Sequence, residues 1–206
     1  MWTPTLRKSE FSKGDNLTAL GAATEPIPVS PKRATEVLIV LTIMVIAMGG
    51  MIRIYDAGES CPDWPTCFGT FGFDISEEEQ GEWWDENPDE ADSRGSGHRY
   101  TTFEIFTEWF HRLLAGVFVG PLVILNWFLV RRDFWNSPRV RGVSSLTLAL
   151  ILWQGAIGWL TVKFDNENWS VAIHLGSALA FMISLIWLWI CLLYTSDAAD
   201  EWWCCG

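Results

Sequence analysis

The chain has 206 residues, of which 50% are hydrophobic, and it carries a formal net charge of −11. This acidic balance argues against a nucleic acid as partner, because such partners are bound through clustered positive charge. The chain has 14 Trp and 12 Phe, and four of its stretches are almost uninterrupted apolar runs, which excludes an ordinary soluble globular protein.

The four apolar runs predict four transmembrane helices, at about residues 37–54, 106–130, 145–162 and 171–193. Each run is close to the roughly 17–25 residues that a helix needs to cross a bilayer. Helices of a soluble bundle would carry polar stripes at helical spacing, and these runs carry almost none. We therefore predict an all-α integral membrane four-helix bundle over residues 34–193, preceded by a polar segment at 1–33.

Basic residues define the predicted orientation. They precede the first run and fill the loop between the second and third runs: Lys8, Lys13, Lys32, Arg33, Arg131, Arg132, Arg139 and Arg141. The positive-inside rule places both segments, and thus the N-terminus, in the cytoplasm. The long acidic loop at about 55–103 then lies outside, in a multi-pass protein of the cell inner (plasma) membrane.

Two histidines lie at matching depths on two of the predicted helices. His111 is near the start of the second run and His174 is near the start of the fourth. An ionisable residue inside a bilayer is costly, so it is a functional-site hypothesis by default. The topology is predicted from Lys and Arg alone, and it independently places both histidines near the extracytoplasmic face. We predict two axial ligands of one metal, most simply a haem iron.

Charged residues accompany the first of these histidines. Glu104, Glu108 and His111 are four and then three residues apart, which places them on one helix face. Glu108 is the candidate catalytic residue, because it could hydrogen-bond the imidazole or carry a proton; the alternative is a residue that snorkels to water. Arg112 is a candidate for contact with a haem propionate or a lipid phosphate, or for anchoring the helix.

The third run contains one polar residue among small ones, in the segment that begins Gln154-Gly-Ala-Ile-Gly158. Gly155 and Gly158 permit another helix to approach closely. We expect Gln154 to make an interhelical hydrogen bond rather than to act in catalysis, since polar side chains commonly join membrane helices in this way.

Cys61 and Cys67 enclose the segment Cys-Pro-Asp-Trp-Pro-Thr-Cys, directly after the first run. An extracytoplasmic compartment permits disulfides, and the two prolines restrict the loop. We predict a Cys61–Cys67 disulfide, which is either a structural staple or a redox-active pair that exchanges electrons with a partner thiol. A zinc site would need a second Cys or His pair nearby.

Five segments, in this order, resemble the haem A synthase family. They cover about residues 35–190: Gly49-Gly-Met-Ile-Arg53, Cys61-Pro-Asp-Trp-Pro-Thr-Cys-Phe-Gly69, Glu108-Trp-Phe-His-Arg112, Gln154-Gly-Ala-Ile-Gly-Trp-Leu-Thr-Val162 and Val171-Ala-Ile-His-Leu175. The resemblance implies oxidation of a ring methyl group of haem O to the formyl group of haem A. It also implies eight spans in two similar halves, the first holding the substrate haem and the second, missing here, a haem B.

The resemblance also implies roles for the candidate residues. His111 and His174 would hold the haem iron, and Glu108 would handle protons or stabilise a cationic intermediate. Cys61 and Cys67 match the outer-loop cysteine pair of the family. The expected partners are the bilayer, haem, haem O synthase, an electron donor, a thiol-exchange partner and a second copy of the chain.

Two features depart from the family. Around Arg53 the family often reads Arg-Leu-Thr-x-Ser-Gly, whereas this chain reads Arg53-Ile-Tyr-Asp-Ala-Gly58. From near Cys191 the sequence can be back-translated as a transposon sequencing adapter, so we interpret 194–206 as a non-native tail on a truncated first half. A genuine short polar tail is the alternative. Such an isolated half is expected to bind at most one haem and could be inactive.

Rival functions stay open at this point. A four-helix cytochrome that only transfers electrons would share the paired histidines but would not need Glu108. A thiol-oxidising membrane protein would use Cys61 and Cys67 with a quinone, and its second cysteine pair would have to come from the tail. A membrane assembly factor without a cofactor would leave both histidines unexplained.

Overall fold

The computed structural model describes residues 29–90, 93–164 and 166–194. Within these residues the chain is helical and has no β-strand, which confirms the all-α prediction. The segments are α1 (Pro31–Ile54), α2 (Glu77–Glu86), α3 (Thr102–Leu113), a π-helical segment (Leu114–Val119), α4 (Gly120–Asp133), α5 (Pro138–Lys163) and α6 (Asn168–Tyr194). The N-terminal residues 1–28 and the predicted tail at 195–206 lie outside the described residues.

Four helical units are long and apolar enough to cross a membrane, as predicted. They are α1, the continuous unit Thr102–Asp133, α5 and α6. Each is longer than its predicted span, because the apolar run marks only the middle of a helix whose ends are polar. At the start of α1, for example, Ser30 Oγ accepts a hydrogen bond from the Arg33 backbone N–H, and Pro31 occupies the first turn.

The four spans pack in a ring, each against the spans before and after it, and α1 also packs against α6. The second span changes partner along its length: α3 packs mainly on α1, whereas α4 packs on both α1 and α5. The loops at 55–101 and 164–167 lie at one end of the bundle, here called the loop end. The junction of α4 and α5 lies at the opposite end.

The bundle is closely packed only in the half away from the loop end. Two clusters of buried apolar side chains lie there: Leu38, Val119, Val123, Phe181 and Leu185, and then Val130, Val140, Val143, Leu188, Cys191 and Leu192. Two polar contacts join spans in the same half: the buried Asn126 donates to Thr35 Oγ1 at 2.9 Å, and the half-buried Trp189 donates to Glu36 at 3.1 Å. By contrast, residues 43–54, 148–160 and 171–180 contain no buried residue.

The second span is interrupted by the π-helical segment, three residues after His111. Pro121 in the first turn of α4 explains the interruption, because a proline has no backbone N–H for the carbonyl four residues earlier. The Gly120 N–H instead bonds the Ala115 carbonyl, five residues back. Single π-helical turns of this kind are frequent at functional sites.

The loop between α1 and α3 is a small folded unit and not only a solvated acidic surface. It contains α2, which begins at Ser76 with a capping box: Ser76 Oγ accepts from the Glu79 N–H, and the Glu79 carboxylate accepts from the Ser76 N–H. The Glu79 carboxylate accepts hydrogen bonds from the Ser76 N–H and from the Ser76 hydroxyl, and these two bonds lower the pKa of Glu79. An apolar cluster fills the unit: Cys61, Cys67, Phe68, Ile75, Trp84, Tyr100 and Ile105.

Candidate functional site

The two predicted ligand histidines lie in the half of the bundle next to the loop end, on different spans. His111 is on α3 and faces α1, where a Cβ added at Gly49 would be 3.5 Å from His111 Nε2. His174 is on α6 and faces α5, where a Cβ added at Gly158 would be 3.0 Å from His174 Cε1. Each imidazole thus packs against a glycine of the neighbouring helix.

A polar network on α5 and α6 holds His174. The Gln154 side-chain nitrogen lies 3.2 Å from His174 Nδ1 and donates to the His174 backbone carbonyl at 3.1 Å. Ser177 Oγ donates both to Gln154 Oε1 and to the same carbonyl. Gln154 therefore makes interhelical hydrogen bonds, as predicted from the sequence. In this arrangement the amide nitrogen donates to Nδ1, so the proton of a neutral His174 lies on Nε2.

The helix surfaces around the histidines are open. On α1, α5 and α6 no residue at 43–54, 148–160 or 171–180 is buried, although equivalent positions in the other half of the bundle form its core. A Cβ added at Gly155 or Gly176 would meet nothing within 4 Å. Since interior positions of a closed helix bundle are normally buried, these helix segments are packed less closely than those of the other half.

Glu108 faces the folded loop rather than His111. Its side chain is buried, and one carboxylate oxygen accepts hydrogen bonds from the Cys61 N–H at 2.9 Å and from Ser60 Oγ at 3.0 Å. The other oxygen is 2.5 Å from Arg112 Nη2. The carboxylate does not hydrogen-bond His111 in the described part of the chain, so the shared helix face did not bring these two groups into contact.

Arg112 joins the second span to the loop. Its guanidinium donates to the backbone carbonyls of Asp63 at 2.5 Å, Thr66 at 3.4 Å and Cys61 at 2.7 Å, in addition to the Glu108 carboxylate. These contacts are those of an anchor between α3 and the loop. A contact of Arg112 with a haem propionate stays a prediction.

The predicted disulfide is present. Cys61 and Cys67 are bonded, with 4.5 Å between their Cα atoms, and they are 0% and 1% exposed. Both cysteines belong to the apolar cluster that fills the loop. Because Cys61 also donates its N–H to Glu108, the disulfide loop and the candidate catalytic carboxylate form one structural unit.

Sequence reasoning missed two contributors to this site. Ser60 bonds the carbonyls of Ala57 and Glu104 as well as the Glu108 carboxylate, yet a serine in a loop carries no distinctive pattern. Asn166, in the loop before α6, donates to the Gly58 carbonyl at 3.0 Å. A Cβ at Gly58 would be 2.9 Å from the Asn166 amide, so this close approach depends on glycine.

These features define a membrane protein of four spans, with paired histidines in the open half of its bundle and a disulfide loop packed over that half. The donor set fits a haem, because imidazoles are common ligands of haem iron. The chain belongs to the haem A synthase family: the COX15-CtaA model, described as cytochrome oxidase assembly protein, matches residues 32–201.

Curated relatives match most of this chain. The haem A synthase of Shewanella oneidensis is 31% identical over 155 residues, which cover 74% of this chain and 43% of the relative. That of Caulobacter vibrioides is 33% identical over 176 residues, covering 73% and 47%. A haem A synthase–mitochondrial ferredoxin fusion protein of Schizosaccharomyces pombe is 29% identical over 167 residues, covering 71% and 26%. No solved structure matches the chain significantly.

The match is partial on the side of the relatives. The chain spans somewhat less than half the length of the Shewanella and Caulobacter proteins that it matches. Its four spans are therefore comparable with one part of those proteins.

Proposed function

We propose that this chain is the substrate-binding half of a haem A synthase-type membrane oxidoreductase, which binds haem O and takes part in oxidising a ring methyl group to a formyl group. The observation that carries the proposal is the pair of histidines on α3 and α6, both in the half of the bundle next to the loop end, where residues of α1, α5 and α6 are not buried. Membership of the family supports the same activity.

In this proposal His111 and His174 would hold the haem iron. Gln154 fixes the position of His174 through its contacts with ring Nδ1 and with the His174 backbone carbonyl. Gly49 and Gly158 let the neighbouring helices come close to the imidazoles. The haem, when bound, supplies the redox chemistry; the chain's residues position it and exclude water.

The proposed task of Glu108 is to hold negative charge, or to move a proton, beside the site. Its carboxylate is held in place by Arg112, by the Cys61 N–H and by Ser60. This arrangement supports an electrostatic role more directly than a role as a freely moving base, because every observed partner is a donor to the carboxylate. The Cys61–Cys67 disulfide would then stabilise the loop that presents these donors.

The same proposal implies an orientation in the membrane and a set of partners. The loop end would face the outside of the inner membrane, and the haem site would lie towards that face. The ferredoxin that is fused to the fission yeast relative supports the expectation of a separate electron donor for this chain. Haem O synthase, a second copy of the chain and a haem B in another half belong to the same proposal.

A spectroscopic comparison tests the haem site. The chain is purified in detergent after expression with haem O available, beside His111→Ala and His174→Ala; His98→Ala, in the outer loop, is the matched control. We expect a low-spin haem spectrum in the wild-type chain and in the control, and its loss or conversion to high spin in the other two variants. Absence of haem from the wild-type chain would refute the proposal.

The two rival functions predict different results. An electron-transfer cytochrome would keep both its haem and its redox activity in Glu108→Gln, whereas a haem A synthase would keep the haem and lose formation of haem A. The thiol-oxidising alternative requires that a partner thiol reach Cys61 or Cys67. The burial of both residues speaks against this alternative.

A further inference from the structure

At the end of the bundle opposite the loop end, two arginines meet where α4 passes into α5. Arg131 crosses from α4 to α5 and donates to Ser145 Oγ at 3.1 Å. Ser145 Oγ in turn donates to the Arg141 backbone carbonyl at 2.7 Å. Ser145 therefore links the Arg131 side chain to the Arg141 backbone, so both arginines belong to one helix junction.

Aromatic rings and backbone groups fix both side chains. The Arg131 guanidinium lies 3.6 Å from the centre of the Trp127 ring, and that of Arg141 lies 5.1 Å from the centre of the Trp135 ring. Arg141 also donates to the Trp135 carbonyl at 3.3 Å. An arginine that only had to remain in water would not need a defined position of this kind.

The hydrogen-bonding capacity of the pair is not used up. Arg131 Nη1 and Arg141 Nε are both buried and have no hydrogen-bond partner in the described part of the chain. No carboxylate of the described residues is within 4 Å of either guanidinium; the nearby Asp133 is bonded to Arg132 instead, at 2.6 Å and 3.0 Å. Buried donors on two arginines of one junction, with no carboxylate of the described residues beside them, are groups that a bound anion would satisfy.

The surroundings indicate what carries the anion. Phe128, one turn before Arg131, is 59% exposed, and Leu146, which follows Ser145, is 43% exposed. Both belong to helices that are long and apolar enough to cross a membrane, so these side chains face the hydrocarbon just below the arginines. A ligand with a phosphate at the membrane surface and apolar chains beneath it would bind the arginines through the phosphate and contact Phe128 and Leu146 through the chains.

We propose that Arg131 and Arg141 form a binding site for the phosphate of an anionic phospholipid, at the membrane surface where α4 joins α5. The arginines would each donate charge-assisted hydrogen bonds to the phosphate oxygens. The acyl chains would lie along Phe128 and Leu146. Bound lipid would hold α4 and α5 together at the end of the bundle farthest from the disulfide loop.

The experiment titrates phosphatidylglycerol into the full chain in a neutral detergent and follows thermal unfolding, since a ligand that binds only the folded state raises its stability with concentration. Phosphatidylcholine and inorganic phosphate are titrated in parallel. Arg131→Gln and Arg141→Gln are compared with Arg132→Gln, a matched control that removes the same charge from an arginine already paired with Asp133.

We expect phosphatidylglycerol, but not phosphatidylcholine, to stabilise the wild-type chain and Arg132→Gln equally. Arg131→Gln and Arg141→Gln should each weaken the apparent affinity about five-fold, the effect of one basic residue at a membrane surface. Ser145→Ala, which leaves every charge in place but removes the bond that positions Arg131, should also weaken binding, and it keeps the test informative should an arginine variant not fold.

Three results would overturn the proposal. Equal weakening by Arg132→Gln would indicate a diffuse attraction to positive charge and not a site. Equal stabilisation by inorganic phosphate would indicate that a soluble anion, and not a lipid, is the ligand. An absence of preference for phosphatidylglycerol over phosphatidylcholine in the wild-type chain would exclude an anionic lipid. None of these results depends on haem, so the proposed function is tested separately.

Discussion

The Glu108–Arg112 ion pair provides the sharpest test of how the loop is attached to the bundle. Glu108 is 4% exposed, and its carboxylate accepts hydrogen bonds from Arg112, Cys61 and Ser60. Arg112→Gln would leave this carboxylate buried with two neutral donors. Removal of one partner of a buried ion pair costs about 3–5 kcal/mol, so we expect a loss of stability in that range.

The reverse variant should be milder. In Glu108→Gln the Arg112 guanidinium keeps its three backbone carbonyl partners, and the Arg112 side chain is 16% exposed. We expect a loss of about 1.5–3 kcal/mol, the usual range for a hydrogen bond to a charged group. The double variant removes both charges, so its loss should be smaller than the sum of the single losses by about 1.5–3 kcal/mol.

The assay is unfolding of the haem-free chain by a denaturing detergent, with the four proteins of the cycle measured side by side. Arg132→Gln with Asp133→Asn is the control cycle, because that pair is largely exposed and should couple by no more than about 1 kcal/mol. Single losses that simply add, or an Arg112→Gln loss no larger than that of Glu108→Gln, would refute the description of this pair as a buried anchor.

Three further predictions concern other parts of the molecule. Gly158→Ala should cost about 1–3 kcal/mol in the same unfolding assay, because the new methyl group would lie 3.0 Å from His174; Gly155→Ala, where nothing is within 4 Å, is the control, and equal stabilities would contradict the contact. Gln154→Ala removes hydrogen bonds that join α5 to α6 and should destabilise the chain by about 1–3 kcal/mol, whereas an unchanged stability would mean that they are not formed. Ser76→Ala removes the Ser76 hydroxyl that helps to lower the pKa of Glu79, so this pKa, measured by NMR titration, should rise. Because the pKa is depressed in the folded chain, the stability that the cap contributes is complete above the ordinary glutamate pKa and is lost as the pH falls through the lowered pKa. A Glu79 pKa that does not change would argue against the capping box.

Some of the missed structure had a signal in the sequence. Ser76-Glu-Glu-Glu79 is a capping-box pattern and could have predicted α2 within the acidic loop. Gly120-Pro121 inside the second apolar run could have predicted the irregular turn before α4. Both patterns are short and local. The long apolar runs and the acidic composition of the loop determined the prediction for these segments instead.

Other contacts had no signal that a single sequence could supply. The spacing of Glu108 and His111 placed them on one face of a helix, but it could not say that Glu108 turns to Cys61 and His111 turns to Gly49. The partner of each side chain belongs to another span or to the loop. The bond between Asn166 and Gly58 likewise joins residues 108 positions apart.

The sequence by itself determined the helical membrane spans, the cysteine pair and the depth of the two histidines. The physical reason is that transfer of a helix into a bilayer depends on its own residues, summed along about 20 positions. The tertiary structure alone decided which groups meet: the carboxylate with the disulfide loop, Gln154 with His174, and Arg131 with Ser145. Those contacts depend on how separate helices pack, and packing is a property of the whole bundle.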